Sequence, residues 1–284
     1  MICAEAGAEV RVLTRTLHLA KEGNRQEEYE DAFAANTTAS RLAVADGASD
    51  SYDSGRWARL LVEAFMDVPP AASVVDLRAW LAEPARAWQA GLRYDVLPWN
   101  QQAKARLGAH CTLLGVELNL AEQDSTAPGT SCGVWRAIAV GDSCLFHVRG
   151  GALLTAFPLA ASAAFGTSPA LLTTNPAYRG AGVEQLATAE GDLRLGDTLL
   201  LATDALAQWF LRRHEQGERP GAGLPADVDF AAFITEQRTQ RRLRNDDVTL
   251  IIAHVGAAEE TSLPAVSTAI VSKQLSDRWL QQWR

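Results

Sequence analysis

Aspartates stand at one end of each of four apolar, strand-like segments. "RLAVAD" runs into Asp46 and continues to Gly47, "GVWRAIAVGD" finishes on Asp142, "DTLLLATD" finishes on Asp204, and "NDDVTLII" is entered through Asp246 and Asp247. "EEYEDAF" adds Glu30 and Asp31 before another short apolar segment. One Asp-Gly pair is ordinary turn chemistry, but turns do not require an aspartate at four strand ends. If these strands lie side by side with alternating direction, their marked ends converge at one edge. Carboxylates gathered there repel one another and need cations. Oxygen ligands without His or Cys spacing suit Mg²⁺ or Mn²⁺ rather than Zn²⁺. Gly47 has no side chain to keep its carbonyl from a metal. Spacing alone leaves two readings open, a set of turns or a carboxylate metal site.

The elements that would position these residues are legible from pattern. Strands rich in Val, Leu, Ile and Thr are predicted over 8–19, 41–46, 111–118, 133–142, 143–151, 151–157, 197–204 and 247–255. Gly150-Gly151 reads as a hairpin turn. Helical spacing covers 54–66, with Ser54 as its expected N-cap, and also 74–93, 100–109, 204–214 and 228–243. Strands come first, then helices, then consecutive strands, then helices between the last strands. That order departs from βαβα alternation and suits antiparallel sheets with helices on their outer faces, an α+β class. Residues 121–133 read as a polar hairpin tip. Residues 158–192 read as an irregular excursion where a substrate flap could sit. One domain would occupy 1–256, with a partly helical tail over 257–284.

The chain has 284 residues, 48% hydrophobic and 21% charged, enough for a sizeable core. Its formal charge of −8 argues against nucleic-acid or anionic-membrane partners. No apolar run approaches a membrane helix, and no secretory signal opens the chain, so a cytoplasmic location is expected. Cys3, Cys111, Cys132 and Cys144 are scattered without a CxxC pair and read as reduced core residues. The tryptophans, Trp57, Trp80, Trp88, Trp99, Trp135 and Trp209 among them, read as packing residues.

"EDAF", "AVADGAS", "AVGDSCLF", "LLLATDALAQW" and "NDDVTLII" occur in that order between residues 29 and 252. The series resembles the motifs of the metal-dependent protein phosphatases of type 2C, the PPM family, and is most similar to bacterial members whose third motif reads "TDALA". The resemblance implies a four-layer αββα sandwich of two antiparallel β-sheets flanked by helices. It also implies two Mg²⁺ or Mn²⁺ ions. Asp46 would bridge them, the Gly47 carbonyl would reach one, and Asp204 and Asp246 would complete the other. Glu30 and Asp31 would hold the second ion directly or through its waters, and Asp142 would serve a third. Asp247 and Thr249 fill the family's closing "DN-x-T" positions. Two such ions, about 3.5–4 Å apart, would activate a water for in-line attack on phosphoserine or phosphothreonine. A phosphorylated protein, the target of a serine/threonine kinase in bacterial signalling, would be the substrate.

The match departs from the family at several positions. The usual phosphate-gripping arginine falls at Gln26, and Arg25 reaches the phosphate only if the chain is irregular by one residue. Ala48 replaces the His or Met after "DG", Tyr29 replaces the Asn or Gln before the acidic pair, and Gln208 weakens the case for a third metal. His18 and His110 read as structural strand residues. Arg238, Arg241, Arg242 and Arg244 would either attract a phosphorylated partner or decorate an exposed helix end. Two rivals therefore stand beside the phosphatase: a noncatalytic binding module of the same fold, and an enzyme of small phosphate esters.

Overall fold

The computed structural model describes residues 10–257 apart from 39, 122–129 and 220–228. Cys3, the expected tail helix over 269–283 and most of the 121–133 loop lie outside the described residues. The chain begins with β1 (Val10–Leu19), β2 (Ala32–Asn36) and β3 (Arg41–Ala45). Helices α1 (Ser54–Asp67), α2 (Val74–Trp80), α3 (Ala82–Ala90) and α4 (Trp99–Leu107) follow. Next come β4 (His110–Cys111), β5 (Leu113–Leu120), β6 (Ser131–Val140), β7 (Cys144–Arg149), β8 (Ala152–Phe157) and β9 (Leu172–Thr173). Short helix α5 (Arg179–Val183) leads into β10 (Ala187–Arg194) and β11 (Thr198–Ala202). Helices α6 (Asp204–Glu215) and α7 (Phe230–Thr239) precede the last described strand, β12 (Val248–Ala257).

Among the described residues two five-stranded sheets form, ordered β1-β12-β11-β7-β8 and β10-β6-β5-β3-β2, with β4 pairing β9 apart from them. Every pairing is antiparallel. The central strands are apolar on both faces because each face meets another layer. On β11, Leu199 and Leu201 enter the core between the sheets, whereas Leu200 and Ala202 pack under α6 and α7. On β3, Leu42 and Val44 enter the intersheet core, whereas Ala43 and Ala45 pack under α1. Three apolar clusters thus separate four layers, helices–sheet–sheet–helices, which is the expected αββα sandwich.

Local chemistry explains where the elements start and stop. The β7–β8 hairpin turns on Gly150 and Gly151, both at positive φ (57° and 79°), a turn that side chains with a Cβ resist. Ser54 is not the N-cap of α1: Asp53 holds that place, and Ser54 lies inside the helix with its hydroxyl donating to Glu30 Oε1 (2.7 Å). The helix expected over 74–93 is two helices, because Pro84 removes a backbone donor in the first turn of α3. The excursion over 158–192 is more ordered than expected, holding β9, α5 and most of β10. Strand β10 carries a weak sequence signal because Gly191 interrupts it. A Cβ there would come within 2.7 Å of the Trp135 indole.

The end of the sandwich away from the aspartate-marked strand ends is held by a buried polar cluster. Asp197 accepts from His147 Nε2 (2.9 Å), Arg149 Nε (2.7 Å) and the Arg194 N–H (2.8 Å), while Trp135 Nε1 donates to His147 Nδ1 (3.2 Å). Burial alone would raise the Asp197 carboxyl, but the bonds from Arg149 and His147 outweigh it and hold it down at about 2. Asp197→Ala leaves these donors unpaired. It should cost roughly 3–5 kcal/mol in urea unfolding, with the aspartate-marked end of the molecule unaffected.

Candidate metal centre

The two sheets bring the marked strand ends to one edge. Strands β3 and β6 both pair with β5, so they run in the same direction, and Asp46 and Asp142 follow their C-terminal ends. Strand β11 runs against β12, so the end of one and the start of the other adjoin, delivering Asp204 beside Asp246. Asp142 sits in the turn carrying the chain from β6 in one sheet to β7 in the other, behind Gly141 at φ +107°. Ligand oxygens of Asp46, Asp142 and Asp204 all lie within 4.8 Å of one another. Two of the trio, Asp46 and Asp204, line a cleft of about 670 Å³, whose wall also includes Gly47, Lys104, His110, Arg244 and Asp246.

The carboxylates lack enough donors. Asp142 Oδ1, Asp204 Oδ1 and Asp31 Oδ1 are buried without a hydrogen-bond partner. Burial, then the neighbouring Asp204 charge, pushes the Asp142 carboxyl up to about 7. Burial, followed by the charges of Asp31, Asp204, Asp246 and Asp142, pushes Asp46 well above the usual range. Burial also lifts Asp31 to about 8, against the pull of its bond from Thr249. Orphaned buried oxygens on mutually repelling acids fit a hard divalent cation, which supplies what protein donors do not.

Polar side chains fix this set in place. Thr112 takes the Asp46 N–H on its hydroxyl (3.0 Å) and returns its own N–H to the Asp46 carbonyl (2.8 Å). Asp31 Oδ2 accepts from Thr249 Oγ1 (2.7 Å) and Thr203 Oγ1 (3.0 Å), and the Tyr29 hydroxyl bonds Thr249 in turn. Tyr29 is therefore a strut behind Asp31. Asp247 takes the backbone N–H groups of Lys21 (2.7 Å) and Glu30 (2.8 Å), tying the β1–β2 connection to β12. Gly47 is required sterically: a Cβ there would lie 2.6 Å from the Glu30 carbonyl oxygen and 3.0 Å from the backbone of Ser54.

Two expected site residues lie elsewhere. The Glu30 carboxylate is saturated by Ser54 (2.7 Å), Ser49 (2.6 Å) and Lys21 (3.1 Å), so its bonds serve the loop and not the trio. Arg25 is exposed at the start of a 3₁₀ turn, its N–H bonded to Glu28 (2.8 Å), and does not line the cleft. The arginine at the cleft is Arg244, one of the four read either as attracting a phosphorylated partner or as decorating a helix end; α7 ends at Thr239, and Arg244 bonds Asp204 and approaches Asp246 (3.4 Å). Its position two residues before Asp246 was the available signal, obscured by the three neighbouring arginines. His110 sits in β4 as expected, yet it also lines the cleft, and its carbonyl accepts the Ala48 N–H (2.9 Å). Gln208 bonds the Ser162 carbonyl (3.2 Å) and so anchors the 158–192 segment. Cys111, Cys132 and Cys144 are buried free thiols, and burial raises Cys144 to about 12, so none supplies a thiolate.

No family model and no curated protein matches the chain. Solved structures do. The photosystem II phosphatase PBCP aligns at 16% identity over 87% of this chain and 99% of that one, with a TM-score of 0.53. The catalytic domain of the serine/threonine protein phosphatase PstP, solved with two manganese ions, aligns at 17% identity over 87% and 100%, with a TM-score of 0.54. PstP/Ppp of Mycobacterium tuberculosis aligns at 17% identity over 87% and 99%, with a TM-score of 0.50. The fold is therefore that of the type 2C phosphatases. No helix among the described residues is long and apolar enough to cross a membrane.

The acids make an opposite contribution to that of Asp197. Asp142 has a folded-state pKa above its ordinary 3.8, so its contribution is full below pH 3.8 and is lost as pH rises towards 7. In chelator, wild type should lose thermal stability relative to Asp142→Asn across that window, by on the order of 2–4 kcal/mol, with Mn²⁺ reversing the order. Gly47→Ala should lower the melting temperature of the metal-free protein through its backbone clash, whatever the pH.

Proposed function

We propose that this chain is a Mg²⁺- or Mn²⁺-dependent serine/threonine protein phosphatase of type 2C. The observation that carries the reading is the close Asp46–Asp142–Asp204 trio, with unpartnered buried oxygens on Asp142 and Asp204, at an open cleft lined by Asp46, Asp204, Lys104 and Arg244. Asp46, Asp204 and Asp246, the Gly47 carbonyl, and Asp31 with its Thr203–Thr249–Tyr29 support would hold two cations. Asp142, packed into the trio, would share them or hold a third. Bound cations would lower the pKa of a coordinated water towards neutrality and offset charge on phosphoryl oxygens.

The remaining work falls to the chain's own residues. Arg244 is partly exposed, with 43% of its side chain open to solvent, and its guanidinium pairs with Asp204 and Asp246. A phosphate dianion entering the cleft offers the same guanidinium a bidentate partner. Arg244, not Arg25, is thus the arginine placed to grip substrate, and Lys104, which also lines the cleft, supplies a second positive charge. Segment 166–171 borders the same cleft through Gly166, Thr167, Ser168, Pro169 and Leu171, in the place expected of a flap. The buried, protonated thiols leave cysteine-nucleophile chemistry without a candidate among the described residues. The substrate is read as a phosphorylated protein, and the location as cytoplasmic.

Phosphate release from phosphothreonine peptides should require Mn²⁺ and stop in EDTA. Asp204→Asn should reduce kcat/KM by more than about 100-fold. Arg244→Ala should raise KM roughly 10- to 100-fold, the loss of a charged hydrogen bond to phosphate, whereas Arg25→Ala should leave KM unchanged. A raised KM in Arg25→Ala with an unchanged KM in Arg244→Ala would return the phosphate grip to Arg25.

A further inference from the structure

Helix α4 is held to the protein by little, since Ala105 is its one buried residue. Its outward surface nevertheless carries large apolar side chains: Trp99 is 84% exposed and Leu107 is 59% exposed. Trp99, Ala103 and Leu107 are spaced four apart, which places them on one face of the helix, and all three are exposed. The stripe does not end in open solvent. Leu107 lines the metal-centre cleft, as does Lys104 on the adjoining face of the same turn. The ring of Tyr178, 60% exposed, lies on the turn that begins at Asn175, whose side chain bonds the Leu107 carbonyl (3.1 Å). No fold requirement keeps a tryptophan this open, and exposed apolar surface beside a polar cleft marks an interaction site.

We propose that the Trp99–Ala103–Leu107 stripe is a docking ledge for an apolar side chain of the phosphoprotein substrate, on the same polypeptide segment as the phosphoresidue. This inference rests on the phosphatase reading and specifies which substrates the site takes. The occupant follows from continuity: a segment whose phosphate meets Lys104 and Arg244 leaves the cleft past Leu107. The helix rise puts Trp99 ~12 Å beyond Leu107, a span of about four extended residues. The apolar anchor therefore falls roughly four to eight residues from the phosphoresidue.

The test compares wild type with Trp99→Ala/Ala103→Glu, which changes the stripe without touching the cleft wall. Each is assayed with Mn²⁺ on a phosphothreonine peptide bearing Leu or Phe in that interval, on the same peptide with Ser there, and on 4-nitrophenyl phosphate. The expected result is an approximately tenfold wild-type preference in kcat/KM for the apolar peptide. The variant should lose that preference and keep its rates on the other two substrates, which also reports that it folds. Equal wild-type rates on both peptides, or a preference that survives in the variant, overturns the ledge and leaves the phosphatase standing. A dimer that dissociates only in the variant, with the peptide preference retained, assigns the stripe to a second copy and overturns it too. No metal-dependent turnover of any substrate by wild type overturns the phosphatase reading and the ledge with it.

Discussion

Mutual repulsion among carboxylates in a low-dielectric site is the interaction on which the rest of this structure depends. Asp46, Asp142 and Asp204 place oxygens within 4.8 Å of one another where burial weakens screening by water. Without a cation, the fold contains this repulsion by raising the proton affinity of Asp46 and Asp142 and by borrowing Arg244 as a counterion to Asp204. Both are partial remedies, because buried oxygens on Asp31, Asp142 and Asp204 still have no partner. A site so costly to assemble is stable only because rigid neighbours over-determine it.

Those neighbours explain the architecture. Antiparallel pairing within each sheet brings strand ends together from opposite chain directions, and the β6–β7 crossing brings the two sheets to a common edge. Three apolar clusters hold the layers in register. Hydroxyls then lock the side chains: Thr112 at Asp46, and Thr203, Thr249 and Tyr29 around Asp31. Asp247 spends its charge on two backbone N–H groups and so joins β12 to the β1–β2 connection. Two adjacent aspartates, 246 and 247, thus take opposite tasks, one facing the cleft and one holding the loop.

Much of this was legible in the sequence because its signals are local. An apolar run ending on an aspartate is visible without knowing what lies beside it, and the ordered motifs gave the sandwich through resemblance. Tertiary proximity was not legible. Arg244 lay among similar arginines, and nothing in its neighbours said that α7 would stop five residues earlier. Glu30 read as a ligand beside Asp31, yet its partners are Lys21 of its own β1–β2 connection and Ser49 and Ser54 of the distant β3–α1 junction. Strand β10 was missed because Gly191 answers to a tryptophan on another strand, not to strand propensity. The resemblance gave Asp142 a third metal, but that the turn after β6 brings its carboxylate within 4.8 Å of those of Asp46 and Asp204 was not legible.

The central claim is that these carboxylates are assembled for a divalent cation. Calorimetric titration with Mn²⁺ at pH 7, in two buffers of different ionisation enthalpy, tests it most directly. Acids held up at about 7 and about 8 must give up protons when the cation arrives. The predicted result is saturable binding with net proton release, the release diminished in Asp142→Asn. Absence of saturable heat at millimolar Mn²⁺, or binding with no dependence on buffer, would contradict the account.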